Sequence, residues 1–262
     1  MILEDLSSDY KILDFNYEMS DLEYGTSLMK IAYFHALSYC YRKSQSTDFK
    51  SYPFLFQRFP NDPRKIQQAE TNLKLMKQHV LASGTDQDLI PVLDKYLESK
   101  DLTKENLNLN SFEYLSHSDY YTSHILVKKN SSGNLNINTC SLIYFSTKSY
   151  FSDAKIIDWQ MCSGADPIVD ICSILFFGTN QDSVEANLNK FLKIYFDTFE
   201  DTCKTFSVEC PLTFDDLKRK FNEKSYKFLF TTSLYICYLS GEKPMKRTLW
   251  ILKKLVQLLH YD

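Results

Sequence analysis

Two stretches of the chain decide its fold: HSDYYTSH at residues 117–124 and IIDW at residues 156–159. The first places Asp119 two residues after His117 and His124 five residues after Asp119. The second places Asp158 directly after an apolar, β-like run. Either aspartate alone is a common loop residue. Because both occur in this order, with the turn signal NSSGN (130–134) between them, we predict a hairpin that joins them at one site.

These stretches resemble the catalytic and metal-binding loops of kinase-fold phosphotransferases. Protein kinases carry H-R-D-x-x-x-x-N followed by D-F-G, and small-molecule kinases carry H-G-D-x-x-x-x-N followed by D-x. This chain keeps His117 and both aspartates, but has Ser118 at the glycine position and His124 at the asparagine position. The pattern therefore predicts a phosphoryl-transfer site with one metal ligand changed.

The composition is that of an ordinary globular protein. The chain has 262 residues, a formal net charge of −3, 44% hydrophobic residues and 24% charged residues, which allows one large domain or two small ones. This charge gives no reason to expect nucleic acid or an anionic membrane as a partner. The start of the sequence lacks the pattern of a signal peptide, and no apolar run reaches membrane-spanning length. We therefore predict a cytoplasmic protein.

The cysteines indicate reduced thiols. There are seven, an odd number, and they are scattered without a C-x-x-C pair. Neither a disulfide framework nor a cysteine metal site is predicted from this spacing.

Hydrophobic periodicity predicts a mainly α (α+β) fold, with a helical body and short β hairpins that carry the two loops. Glycine and proline are scarce, with 6 and 7 residues. Helices are predicted at 22–41, 64–82, 86–98, 167–177, 184–206, 214–239 and 246–260. Short extended segments are predicted at 112–116, 125–129 and 155–159. We expect a single body over 1–262, with a loop insertion over 130–154.

Four segments carry a resemblance to one family. They are ILEDL (2–6), IAYFHALS (31–38), HSDYYTSHI (117–125), and IDWQ (157–160) with DPIVDI (166–171). In order and approximate spacing they resemble the hinge strand, the L-A-x-F-H-A-x-S helix, the H-G-D-x-W-x-N-N loop and the V-D-F-Q…P-x-x-D-L segment of the ecdysteroid kinase-like (CHK kinase-like) family. The resemblance runs from Met1 to about Phe177 and continues more weakly beyond.

The resemblance implies a protein-kinase-like C-terminal lobe that uses ATP and Mg²⁺ on a small-molecule alcohol. Asp119 would be the catalytic base, Asp158 would bind the metal, and His124 would occupy a metal-ligand position. An imidazole suits transition metals better than Mg²⁺, which prefers oxygen. The alternative for His124 is a surface or packed histidine without a ligand role.

The resemblance also implies a nucleotide contact and structural supports. Backbone groups around Glu4, Asp5 and Leu6 would contact adenine, although these residues also suit an ordinary edge strand. His35 suits packing and hydrogen bonding, and Asp170 suits hydrogen bonds to the backbone near the catalytic loop. His117 would support that loop.

The hinge-like strand begins at Met1, so the family's N-terminal lobe is expected to be absent. No G-x-G-x-x-G phosphate loop occurs in the sequence. The first hypothesis is therefore a truncated or degenerate kinase-like protein with weak or no activity, which self-associates through the face the other lobe would cover. The alternatives are an active kinase acting on a hydroxyl of a steroid or xenobiotic, and a non-enzymatic helical interaction module.

Overall fold

The computed structural model describes residues 9–14, 17–45, 49–52, 55, 63–98, 113–128, 154–178, 180–236 and 242–259. Within these ranges the chain is mostly helical, with one small sheet. The helices are α1 (Asp21–Gln45), α2 (Pro63–Ser83), α3 (Ile90–Glu98), α4 (Ile168–Phe177), α5 (Gln181–Thr205), α6 (Phe214–Ile236) and α7 (Glu242–Leu259), and the strands are β1 (Tyr10–Ile12), β2 (Ile125–Lys128) and β3 (Ala154–Ile156).

The chain divides into two compact units. The first comprises residues 1–51 and 111–214, and the second comprises residues 52–110 and 215–262. The sheet, α1, α4 and α5 belong to the first unit, which therefore contains both loops of interest. A single lobe over 1–262 stays a prediction. The predicted insertion lies outside the described residues apart from Ala154, which opens β3.

The sheet carries the two loops. Its antiparallel strands lie in the order β1-β2-β3, with Tyr10 opposite Lys128 and Ile125 opposite Ile156. Strand β2 begins directly after the short helical turn Thr122–His124, and β3 ends two residues before Asp158. The predicted α+β class, with a hairpin carrying both loops, is confirmed.

Several predicted boundaries are wrong, including the following three. The extended segment 155–159 stops at Ile156, because Asp158 adopts a left-handed backbone conformation with φ 61°. The helix predicted from residue 86 begins with a 3₁₀ turn at Gln87–Leu89, since Asp86 is also left-handed, with φ 59°. In the described part of 112–116, only Ser116 makes a β-bridge, to Ser163.

Helix α1 begins with a reciprocal cap between Ser20 and Glu23. The Glu23 backbone N–H donates to Ser20 Oγ at 3.4 Å, and the Ser20 N–H donates to Glu23 Oε2 at 2.7 Å. This capping box satisfies backbone donors that the helix itself cannot.

The core of the first unit lies around α4. All ten residues of that helix are buried, including Asp170 and Ser173. Helix α1 packs against α5, whose buried face includes Phe191, Tyr195 and Phe199. The polar side chains of a helix that is buried on every side must find hydrogen-bond partners within the protein. Asp170 finds them in the loop that carries Asp119. Among the described helices, none combines the length and apolarity needed to cross a bilayer.

Candidate functional site

The hairpin brings Asp119, His124 and Asp158 together. His124 Nδ1 lies 3.9 Å from Asp119 Oδ2, and His124 Nε2 lies 3.6 Å from Asp158 Oδ2. The side chains of Asp119 and Asp158 are 30% and 38% exposed, whereas that of His124 is 18% exposed. Two carboxylates open to solvent therefore flank one imidazole.

Asp170 anchors the loop that carries Asp119. This fully buried carboxylate accepts the His117 backbone N–H at 2.7 Å on Oδ2 and the Ser118 backbone N–H at 2.6 Å on Oδ1. His35 Nε2 donates to the same Oδ2 at 2.9 Å. Three donors on one buried carboxylate stabilise its charge and fix the loop against α4.

The anchor extends into α5. The Tyr195 hydroxyl lies 2.8 Å from His35 Nδ1, so the chain Tyr195–His35–Asp170 joins α5, α1 and α4 beneath the loop. Burial raises the pKa of Tyr195 well above its usual range, and the nearby tyrosine and aspartates add to this. A hydroxyl that stays protonated remains available as a hydrogen-bond donor to His35.

Ser118 occupies a position that favours glycine. Its φ is 72°, a left-handed conformation that costs about 1–2 kcal/mol for a residue with a side chain. The H-G-D form of the loop motif has glycine here, which meets no such penalty. In this chain the Ser118 hydroxyl compensates, since it lies 2.8 Å from Ser163 Oγ and donates to the Ser116 carbonyl at 3.3 Å.

His117 joins the two loops. Its Nε2 donates to the Ile157 carbonyl at 2.8 Å, directly before Asp158, and its Nδ1 accepts the Asp119 backbone N–H at 3.4 Å. The ring also contacts Trp159, with centroids 4.8 Å apart, and Trp159 packs on Phe34 at 4.6 Å. The relative placement of Asp119 and Asp158 thus depends on His117.

Sequence reasoning missed Ser163, Tyr195 and Phe34 as parts of this site. No motif marks Ser163, which reaches Ser118 through the β-bridge at Ser116. Tyr195 belongs to an apolar stripe that is typical of a core helix. Phe34 directly precedes His35, the residue for which packing and hydrogen bonding are predicted. The hinge-like residues Glu4, Asp5 and Leu6 lie outside the described residues.

The donor set does not fit Mg²⁺ at the His124 position. His124 Nδ1 donates to the Asp119 backbone carbonyl, which commits that nitrogen, and Nε2 offers nitrogen where Mg²⁺ prefers oxygen. In the part of the chain that the structure describes, no group of three or more His, Cys, Asp and Glu side chains is arranged to hold a metal ion. Asp158 retains the carboxylate oxygens that suit a Mg²⁺ ligand.

Comparison with known proteins identifies a family. The model of the ecdysteroid kinase-like family matches residues 1–208. Comparison with curated proteins and with solved structures returned no match. The matched range includes both loops, the Asp170 anchor and the whole of α5. The chain is a kinase-like protein and belongs to the ecdysteroid kinase-like family.

Proposed function

We propose that this kinase-like chain has weak or no phosphotransferase activity. The observation that supports the proposal is the imidazole of His124, which lies between Asp119 and Asp158 within 4 Å of both. In the related loop motif an asparagine oxygen stands there. The family implies ATP and Mg²⁺ as cofactors. The change from asparagine to His124 would weaken the binding of Mg²⁺.

Phosphoryl transfer depends on positioning and on charge stabilisation more than on covalent chemistry. A metal ion that bridges the phosphates must be held by oxygen ligands in near-octahedral geometry. His124 replaces one of these oxygen ligands. Its Nδ1 donates to the Asp119 backbone carbonyl, and its ring occupies the space of the missing ligand. Nucleotide binding that depends on Mg²⁺ is therefore weakened.

The first test is thermal. We expect no MgATP-dependent rise in the melting temperature of the unaltered chain, and a rise in His124→Asn, which restores the oxygen ligand. Ligand at 100 times its dissociation constant would stabilise the folded state by about 2.7 kcal/mol. The measurement is differential scanning fluorimetry with MgATP, with ATP and EDTA, and without ligand.

The matched control adds Asp158→Asn to His124→Asn, which should abolish the gain if both residues act on one metal. A clear rise in the melting temperature of the unaltered chain with MgATP would contradict the proposal.

A second candidate is an active ATP-dependent kinase that phosphorylates a hydroxyl of a steroid or xenobiotic. The observation that favours it is the anchoring of the Asp119 loop by Asp170, which leaves the Asp119 carboxylate 30% exposed. A carboxylate held rigidly and open to solvent can orient a substrate hydroxyl and accept its proton.

Under this second candidate, Asp119→Asn should lower turnover by about 10²–10⁴-fold, because the amide cannot accept the proton. The measurement is transfer of labelled phosphate from MgATP to a panel of alcohols, with Asp182→Asn, an exposed acid in the first turn of α5, as the control. Unchanged turnover in Asp119→Asn would exclude this residue as the base.

A further inference from the structure

Three cysteines that are far apart in sequence lie together at the end of α5. Cys40 of α1 donates its S–H to Cys203 of α5, with the sulfurs 3.8 Å apart. Cys203 also hydrogen-bonds to Cys210, in the segment that follows α5. We call Cys40, Cys203 and Cys210 the thiol cluster. It lies within the first compact unit and away from the Asp119 loop in sequence.

The turn after α5 brings Cys210 back to Cys203. Ser207 is left-handed, with φ 53°, and its N–H donates to the Lys204 carbonyl at 3.0 Å. The Val208 N–H donates to the Cys203 carbonyl at 2.9 Å. These two bonds form the Schellman motif, which ends a helix and reverses the chain. The reversal directs the segment that contains Cys210 back toward the end of α5.

The cluster combines one accessible sulfur with two buried ones. Cys40 and Cys203 are 2% and 0% exposed, whereas Cys210 is half-buried. An oxidant therefore reaches Cys210 first. The buried Cys203 is the resolving thiol, which would form the disulfide with the oxidised Cys210. This arrangement, a reachable sulfur next to a second thiol, is what a redox-sensitive pair needs.

Hydrogen bonding and burial give the three thiols of the cluster different pKa values. The hydrogen bond from Cys203, followed by hydrogen bonding with the Leu212 backbone, lowers the pKa of Cys210 to about 7, against the opposing effect of burial. The same hydrogen bond and burial raise the pKa of Cys203, and burial raises the pKa of Cys40. Near pH 7 Cys210 is therefore the thiol of the cluster that ionises most readily, and Cys203 keeps its proton.

We propose that Cys210 and Cys203 form a peroxide-sensitive pair that closes into a disulfide. The Cys210 thiolate attacks one oxygen of hydrogen peroxide, the O–O bond breaks, and hydroxide leaves, which gives the Cys210 sulfenic acid. Cys203 then attacks the Cys210 sulfur, the S–O bond breaks, and the Cys203 proton leaves with the hydroxyl as water. Peroxide is the oxidant, and the two sulfurs together lose two electrons.

The cluster favours oxidation over metal binding. Across the described ranges, no set of three or more His, Cys, Asp and Glu side chains is placed to hold a metal. The other described cysteines provide contrasts: Cys162 is part-exposed, and Cys172 is fully buried in α4. Cys162 therefore serves as the accessible thiol against which the reactivity of Cys210 is measured.

The experiment treats the full chain with hydrogen peroxide at pH 7, blocks remaining thiols, and maps all seven cysteines by peptide mass spectrometry. We expect a Cys203–Cys210 disulfide as the first product, before any oxidation of Cys162. The alkylation rate of Cys210 should level off with a midpoint near pH 7. The same treatment in denaturant should abolish the preference for Cys210, because the preference depends on the folded turn.

Three variants separate the roles. Cys203→Ala should prevent the disulfide, move the alkylation midpoint of Cys210 upward, and leave Cys210 as sulfenic and then sulfinic acid. Cys210→Ala should lower the peroxide reactivity of the cluster at least about tenfold, because about half of Cys210 is thiolate at pH 7 and even an ordinary thiol is only a few per cent thiolate. Cys40→Ala, the matched control, should leave the disulfide intact. A Cys40–Cys203 disulfide as first product, or Cys210 oxidised no faster than Cys162, would overturn the proposal.

Discussion

Replacing Asp170 with alanine is expected to lower the free energy of unfolding by about 3–5 kcal/mol, because three buried hydrogen-bond donors lose their acceptor. The substitution leaves the His117 and Ser118 backbone N–H groups and the His35 ring N–H without their acceptor. Each buried donor left unsatisfied costs about 1–3 kcal/mol. Because the position is fully buried in α4, water cannot replace the carboxylate without entering the core.

Urea unfolding followed by circular dichroism measures this loss. Asp201→Ala is the control, since that side chain is 57% exposed and its partner Lys204 is 64% exposed; we expect its unfolding midpoint to match that of the unaltered chain. A double-mutant cycle with His35→Ala isolates the His35–Asp170 term, and the two effects should not add. A loss below about 1 kcal/mol for Asp170→Ala would mean that the loop does not depend on this carboxylate.

The same contacts show what the sequence could predict. The family resemblance predicts supporting roles for Asp170 and His35, because both stand in matching motif positions. Their partnership is not visible in the sequence, since the hydrogen bond joins residues 135 positions apart. Tyr195 completes the chain from within an apolar stripe, where a tyrosine is most simply core. Local periodicity predicts which face of a helix is buried, but not which polar atom on that face finds a partner.

Periodicity predicts where helices occur along the chain, but it does not predict the residues at which helices and strands end. Asp86 and Asp158 both adopt left-handed backbone conformations that cut a predicted element short. Aspartate tolerates this conformation better than most residues, but nothing in a single sequence marks the particular aspartate that adopts it. At Asp158 the same conformation ends β3 and turns the carboxylate-bearing residue out of the strand.

The thiol cluster could not be predicted from the sequence. The scattered spacing of the cysteines predicts no disulfide framework. Cys40 and Cys203 meet because α1 packs against α5, and Cys210 joins them because Ser207 reverses the chain. A reactive cluster made by helix packing leaves no spacing pattern to detect.

Gly178→Ala is expected to destabilise the fold by about 1–3 kcal/mol, the range for forcing extra volume into a packed core. An ideal Cβ at Gly178 would lie 2.6 Å from Tyr24 Cε1 and 2.7 Å from the Ile174 carbonyl oxygen. Tyr24 is fully buried, packs on Phe191 with ring centroids 5.2 Å apart, and accepts the Asn180 N–H at 3.3 Å. Neither a buried ring nor a helix carbonyl can move aside without losing contacts.

Gly25→Ala makes the same chemical change with the opposite expected sign. Gly25 lies within α1, and its Cβ would meet Ile194 Cδ1 at 3.4 Å, an ordinary van der Waals contact. Alanine in place of glycine inside a helix stabilises by about 0.5–1 kcal/mol, because glycine loses more backbone entropy on folding. Urea titrations of both variants should therefore move the midpoint in opposite directions. If both variants were destabilised alike, the cost at Gly178 could not be assigned to its close approach to Tyr24.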